Sequence, residues 1–155
     1  MTMPHMTYQV DSVGRGATGE HHTQTAKFYS VEQRMGGSPD NPNPLELFLG
    51  ALTGCMNVVL QMVASERGLT GVNATYHAEG QLDTRGFMGD PAVDPHFQQV
   101  EMAIAVSGVS KEDLEYLREQ VDRRCPVHSL IDKAGIPIQE VWTMAPKTTK
   151  SGRGE

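Results

Sequence analysis

The strongest hydrophobic pattern in the chain runs from Asn43 to Gly68. Apolar residues recur there at steps of three and four, the spacing of one helix face, and further apolar residues widen that face until most of the helix is apolar. Asn43 supplies an N-cap, Pro44 a first helical residue and Gly68 a left-handed stop. We predict a helix of about six turns, buried in a core or at a subunit contact. The apolar positions are Leu45, Phe48, Leu49, Leu52, Cys55, Met56, Val59, Leu60, Met62 and Val63.

Alternating apolar and polar residues predict two strands before this helix. The first is Met6–Val10, and the Gly-Arg-Gly sequence at 14–16 is typical of a hairpin turn. The Thr-rich segment 19–31 is predicted to be the returning strand. A loop rich in glycine and proline, 36–42, then leads to the helix.

Two more strands are predicted after the helix, over 72–81 and 100–107, each with one buried face. The segment 84–97 between them contains two prolines and two glycines, so we predict an irregular connection.

A pair of helices follows these strands. Ser110 caps the first helix, which ends before Pro126 because proline cannot continue a hydrogen-bonded helix interior. Cys125 then caps a shorter helix, 126–135. A last strand is predicted over 136–144.

The predicted order is two strands, a long helix, two strands, a helix pair and a strand. Helices packed to one side of locally connected strands make an α+β domain, because a doubly wound sheet needs strands and helices to alternate. A chain of 155 residues suits one domain. We place it at 1–144 and expect a disordered tail over 145–155.

The overall charge narrows the class of partner. A formal net charge of −6 and a pI near 5.5 argue against a nucleic-acid or anionic-membrane partner, whose binding is driven by Lys and Arg. Glu46, Asn57 and Gln61 interrupt the apolar helix too often for a membrane span. The first ten residues lack the charged and apolar regions of a signal peptide, so we expect a cytoplasmic protein.

Cys55 lies on the apolar side of the long helix. A buried cysteine most often behaves as a small hydrophobic residue. Because burial raises the pKa of a thiol, a reactive Cys55 would require a nearby cation, and the candidates outside the helix are Arg15 and Arg34.

Cys125 follows two arginines and opens a helix, and both features favour the thiolate. The alternative is a capping thiol in a core. His128 makes a Cys-x-x-His pair with it, but a structural zinc site needs four ligands and the next cysteine is 70 residues away. We therefore expect no metal site.

Glu46 has the position of a capping-box residue. It lies nine residues before Cys55, about 180° away around the helix. A catalytic Glu46 would have to act from the side of another strand or subunit. A stripe of small and polar residues on the same helix would let another helix approach closely. It consists of Gly50, Thr53, Gly54 and Asn57.

Two motifs in this chain resemble those of a known family. The long helix carries N-P-x-E-L-F-x-x-A-x-x-G-C, and R-C-P-V-H follows 70 residues later. They resemble the OsmC/Ohr family of osmotically inducible and organic hydroperoxide resistance proteins, and the second motif is closer to the OsmC branch. The resemblance covers about residues 6–144. It implies an intertwined α+β homodimer, with antiparallel sheets around long buried central helices and two active sites at the subunit interface.

The resemblance also implies thiol peroxidase chemistry. Cys55 would be the peroxidatic thiolate that attacks an organic hydroperoxide, and Cys125 the resolving thiol that forms a disulfide with it. A dithiol such as a lipoylated protein would reduce the disulfide, and no bound cofactor is expected. Arg15 in Gly-Arg-Gly resembles the activating arginine slightly better than Arg34 does. Glu46 is the carboxylate that many family members carry at its position.

Leu45 departs from the Ohr-branch pattern, in which a carboxylate directly follows the helix-initiating proline. This departure favours a second hypothesis, a stress-related dimer that binds an apolar ligand at the subunit interface with little or no catalysis. The presence of both Cys55 and Cys125 favours the peroxidase. In a third hypothesis both cysteines are inert, and replacing them with serine changes only stability.

Overall fold

The computed structural model describes residues 4–147, which divide into two compact units at Phe48 and Leu49. The first contains strands β1, β2 and β3 and a 3₁₀ helix. Helix α1 begins in the first unit and continues into the second, which also contains α2, α3, α4, β4, β5 and β6. The elements are β1 (Asp11–Arg15), β2 (Thr18–His22), β3 (Lys27–Val31), the 3₁₀ helix (Gln33–Met35), α1 (Pro44–Glu66), β4 (Asn73–Leu82), α2 (Thr84–Phe87), β5 (Phe97–Ser107), α3 (Lys111–Arg124), α4 (Pro126–Lys133) and β6 (Ile138–Met144).

The first unit forms an antiparallel sheet in the order β1-β2-β3. The predicted first strand, Met6–Val10, is wrong: that segment is irregular, and β1 begins at Asp11. Gly14 and Arg15, predicted to break the strand, pair with β2 instead, and the turn is made at Gly16 with a φ of 59°. The sequence contained the right turn residues, but the pairing begins five residues later than the hydrophobic alternation indicated.

The single returning strand predicted over 19–31 is also wrong, because the segment forms the two strands β2 and β3. Between them, the hydroxyl of Thr23 accepts a hydrogen bond from the N–H of Ala26 at 3.0 Å. Threonine favours strands, but its side chain also stabilises turns by bonding to the nearby backbone. The Thr-rich composition therefore did not distinguish one long strand from a second hairpin.

Helix α1 has the predicted ends. The side chain of Asn43 accepts the N–H of Leu45 at 2.8 Å, and Glu46 accepts the N–H of Asn43 at 2.8 Å, so the capping box is confirmed. At the other end Gly68 has a φ of 74°, and Leu69 donates its N–H to the carbonyl of Ala64 at 2.9 Å. These bonds satisfy backbone groups that the helix ends leave unpaired.

Helix α1 is only partly buried within the single chain, so burial of its remaining apolar face at a subunit contact stays a prediction. One face is buried, while Val58 is 66% exposed and Met62 is 44% exposed. The length and mean hydropathy of α1 would suffice to cross a membrane, a property that core helices of soluble proteins share. Its buried residues are Leu52, Met56, Val59, Leu60, Val63 and Ala64.

The second unit contains a sheet in the order β4-β5-β6. Strands β4 and β5 are antiparallel, and both lie where the alternation predicted them. Strand β6 is parallel to β5, so the expectation of purely antiparallel sheets is wrong for this edge. The physical reason is that α3 and α4 form a long crossover connection, which parallel neighbours require. The central β5 buries Val100, Met102, Ile104 and Val106.

Helices α3 and α4 meet at Cys125, as predicted. Ser110 accepts the N–H of Asp113 at 3.1 Å and caps α3, which buries Leu114, Leu117 and Val121. The irregular connection predicted over 84–97 is correct except for the short helix α2. The predicted tail falls largely on 148–155, outside the described residues. A single domain over 1–144 stays a prediction.

Candidate active site

The two cysteines of the chain meet in the second unit. Cys55 is half-buried on α1, and Cys125 is completely buried between α3 and α4. Their side chains lie close enough for Cys55 to raise the pKa of Cys125, and both are free thiols. Two residues 70 positions apart in the sequence are thus brought close together. Thiols in contact can form a disulfide when one of them is oxidised to a sulfenic acid.

Cys125 occupies a position fixed by both neighbouring helices. Its N–H donates to the carbonyl of Val121 at 2.9 Å and ends α3, while its carbonyl accepts the N–H of Ser129 at 2.9 Å within α4. The N–H of His128 donates to the sulfur of Cys125 at 3.5 Å. Cys125 is therefore the predicted capping residue, and its sulfur is held against the first turn of α4.

The expectation that Cys125 favours the thiolate is wrong for this structure. Burial raises the pKa of Cys125 to about 11, and the adjacent Cys55 raises it further. The preceding arginines do not compensate, since Arg124 forms an ion pair with Glu66 at 2.8 Å and Arg123 donates to Gln120 at 3.1 Å. At neutral pH Cys125 is a protonated thiol.

Tyr76 and Asn57 form a polar pair beside the thiols, and Tyr76 is a residue that sequence reasoning missed. The hydroxyl of Tyr76 donates to the side-chain oxygen of Asn57 at 3.3 Å. Burial, with a contribution from Cys125, raises the pKa of Tyr76 to about 12, so this hydroxyl remains a hydrogen-bond donor. Its position on the inward face of β4 and the polar Asn57 two residues after Cys55 were the available signals.

The charged residues predicted to assist Cys55 lie in the first unit. Arg15 is exposed at the end of β1, and Arg34 is exposed in the 3₁₀ helix. The carboxylate of Glu46 accepts a hydrogen bond from the backbone N–H of Asn43. Which of these residues acts on Cys55 stays a prediction.

Glu32 is a second residue that sequence reasoning missed. One of its carboxylate oxygens accepts the N–H of Arg34 at 3.1 Å, and the other accepts the side-chain amide of Asn43 at 2.6 Å. Glu32 thus links the 3₁₀ helix to the residue that caps α1. Nothing in the spacing of Glu32 and Asn43 distinguished this pair from two surface residues.

Comparison with known proteins identifies a family and solved structures with a similar fold. Residues 37–141 match the model of a protein family described as OsmC-like protein. An OsmC-like protein from Mycoplasma pneumoniae superposes with a TM-score of 0.76 at 14% identity, covering 90% of this chain and 98% of that chain. No curated protein sequence matches this chain.

Two further solved structures are similar to this chain and carry functional names. The organic hydroperoxide resistance protein OsmC from Legionella pneumophila has a TM-score of 0.65 at 17% identity, covering 92% of this chain and 99% of that one. The organic hydroperoxide resistance protein OhrB of Bacillus subtilis has a TM-score of 0.62 at 18% identity, covering 90% and 98%. At these identities the structural similarity shows a common fold.

Proposed function

The chain belongs to the OsmC-like protein family, and on this premise we propose that it is a thiol-dependent peroxidase that reduces organic hydroperoxides to alcohols. The observation that carries this proposal is the proximity of Cys55 and Cys125. A peroxidase of this kind needs two thiols close enough to form a disulfide, because a sulfenic acid that is not resolved can be oxidised irreversibly. Solved structures with this fold are named organic hydroperoxide resistance proteins.

The unequal burial of the two thiols supports different roles for them. Cys55 is partly exposed, so a peroxide can reach it, whereas Cys125 is completely buried. The Cys55 thiolate attacks one peroxide oxygen, the O–O bond breaks, and the alkoxide leaves as the alcohol after taking up a proton. Cys55 is then a sulfenic acid. The Cys125 thiol condenses with it, forming the S–S bond and releasing water.

An external dithiol completes the cycle. It transfers two electrons and two protons to the disulfide, restoring Cys55 and Cys125 and becoming a disulfide itself. A lipoylated protein is the reductant that we propose, acting in the cytoplasm and without a bound cofactor on this chain. Arg15, or alternatively Arg34, supplies the positive charge that favours the Cys55 thiolate, and Glu46 orients that arginine.

Organic hydroperoxides are the proposed substrate class because apolar side chains of α1 flank Cys55. Leu52 and Met56 on the same helix are buried, and Val58 and Met62 present a further apolar surface on α1. Such a surface favours alkyl and aryl groups over hydrogen peroxide. We also propose a homodimer, in which a second copy covers the exposed part of α1.

The alternative function is a dimeric protein that binds an apolar ligand at the subunit interface with little or no peroxide turnover. Leu45 favours it, since this residue is 42% exposed and stands where the Ohr branch has a carboxylate. The two functions differ in one measurable respect. The binding protein retains two free thiols when an organic peroxide is present, whereas the peroxidase consumes the peroxide.

The test is consumption of cumene hydroperoxide and of hydrogen peroxide by the purified protein with dihydrolipoamide as the reductant. We expect faster turnover of the organic peroxide and, without reductant, a mass decrease of two hydrogens from the disulfide. Cys55→Ser should abolish turnover, while Cys125→Ser should allow one oxidation and then stall. Equal activity in the two variants would refute the assigned roles, and two unreacted thiols in the wild type would favour the binding protein.

A further inference from the structure

A cluster of potential metal ligands, separate from the two cysteines, lies where α3, α4 and β6 meet. Asp122 near the end of α3, His128 in α4 and Glu140 in β6 each offer one ligand atom, and these atoms all lie within 4.8 Å of one another. We propose that Asp122, His128 and Glu140 bind a divalent transition-metal ion, with Zn²⁺ the preferred ion. The site contains no sulfur ligand and is distinct from the Cys55–Cys125 pair.

The distances within the cluster are close to those of a tetrahedral metal site. Zinc binds nitrogen and oxygen ligands at about 2.0–2.1 Å, which places two tetrahedral ligand atoms about 3.3 Å apart. Nε2 of His128 already lies 3.5 Å from Oδ1 of Asp122. It lies 2.5 Å from Oε1 of Glu140, to which it is hydrogen-bonded. A metal ion would replace the proton of that hydrogen bond, and Glu140 would withdraw by about 1 Å.

Burial and hydrogen bonding hold the side chains of His128 and Glu140 in fixed positions. The Glu140 side chain is only 6% exposed and that of His128 only 10% exposed. Oε2 of Glu140 accepts the indole N–H of Trp142 at 2.9 Å, which orients the carboxylate and leaves Oε1 directed at His128. Metal-binding carboxylates are commonly held in this way by a partner outside the coordination sphere.

Asp122 supplies the observation that favours an ion over a simple ion pair. Its Oδ1 is buried and makes no hydrogen bond within residues 4–147, since the approach to His128 lacks hydrogen-bond geometry. A buried carboxylate oxygen without a hydrogen bond is costly. The second carboxylate, Glu140, lies beside it, so the two groups repel each other. One divalent cation would be coordinated by this oxygen and would neutralise both carboxylates.

The cluster opens on a cavity of about 340 Å³ that leaves room for a further ligand. Arg118 and Asp132 also line this cavity, together with the turn around Gly135. Three protein ligands and an open position are the arrangement in which zinc retains a bound water. The mixed nitrogen and oxygen donors favour Zn²⁺ over Ca²⁺, which takes six to eight oxygen ligands.

The test begins with titration of the reduced, full-length protein with Zn²⁺ by calorimetry and with Co²⁺ by absorption spectroscopy. We expect one ion per chain, visible Co²⁺ ligand-field bands and no sulfur-to-cobalt charge-transfer band. Zn²⁺ should also raise the thermal unfolding temperature, because an ion that binds only the folded state stabilises it. A charge-transfer band would place the ion at the cysteines and overturn the proposal, as would the absence of binding.

Two ligand variants and a matched control locate the site. Asp122→Asn and Glu140→Gln should each weaken Zn²⁺ binding at least tenfold. Asp132→Asn removes a carboxylate that lines the same cavity outside the ligand set, so it should retain wild-type affinity. Equal weakening in all three variants would indicate diffuse attraction to negative charge and overturn the assignment. Circular dichroism without metal verifies folding, and either ligand variant suffices if the other does not fold.

Discussion

Oxidation of the Cys55–Cys125 pair should make the protein more stable. A bond between these residues closes a loop of about 70 residues, and the loss of chain entropy in the unfolded state corresponds to about 4 kcal/mol at 25 °C. Strain in the folded state subtracts from this value, so it is an upper limit. For a chain of this size the unfolding temperature would rise by as much as about 8–16 °C.

The assay compares urea unfolding of the dithiol-reduced protein with that of protein oxidised by one equivalent of cumene hydroperoxide. Intact mass establishes the loss of two hydrogens before each measurement. Cys55→Ser and Cys125→Ser cannot form the bond, so each should give the same unfolding curve under both conditions once unreacted peroxide is removed and any sulfenic acid is excluded by mass.

A verified disulfide that leaves stability unchanged or lowers it would refute the reasoning. It would mean that Cys55 and Cys125 must leave their packed positions to bond, at a cost equal to the entropic gain. Failure to form the disulfide at all would contradict the proposed resolving role of Cys125, although the third hypothesis, two inert thiols, predicts that result.

Two further predictions concern the second unit. Gly80→Ala should destabilise the protein by about 1–3 kcal/mol in urea unfolding, because its Cβ would lie 2.5 Å from the ring of Phe97; Gly14→Ala, in β1, meets no atom within 4 Å and should change little. Asp113→Asn should lower the stability of the protein at neutral pH. When the pH is lowered, the stability of this variant should fall less than that of the wild type. The hydrogen bond from Arg67 holds the pKa of Asp113 below its usual value, so this stabilisation is present above the unfolded pKa of about 3.9 and is lost as the pH falls through the folded pKa. A pH series of unfolding curves that is parallel for wild type and variant would contradict this.

Local patterns predicted much of the second unit correctly. The ends of α1 follow from Asn43 and Gly68, and the junction at Cys125 follows from the proline after it, because a helix end depends on a few neighbouring residues. The alternating pattern predicted β4 and β5 correctly because each strand turns one face toward the core. The first unit was predicted poorly, since Gly14 and Thr23 are compatible with both strand and turn.

The sequence by itself determined the ends of α1, the junction between α3 and α4, which faces of β4 and β5 are buried, and, through two motifs, the family of the chain. Only the tertiary structure decided what Cys125 is: a cap and a helix terminus favour the thiolate, but complete burial outweighs them. Only the tertiary structure assembled Asp122, His128 and Glu140, because the crossover through α3 and α4 returns β6 parallel to β5. Caps and periodicity act over a few residues, whereas burial and the meeting of distant side chains depend on how whole elements pack.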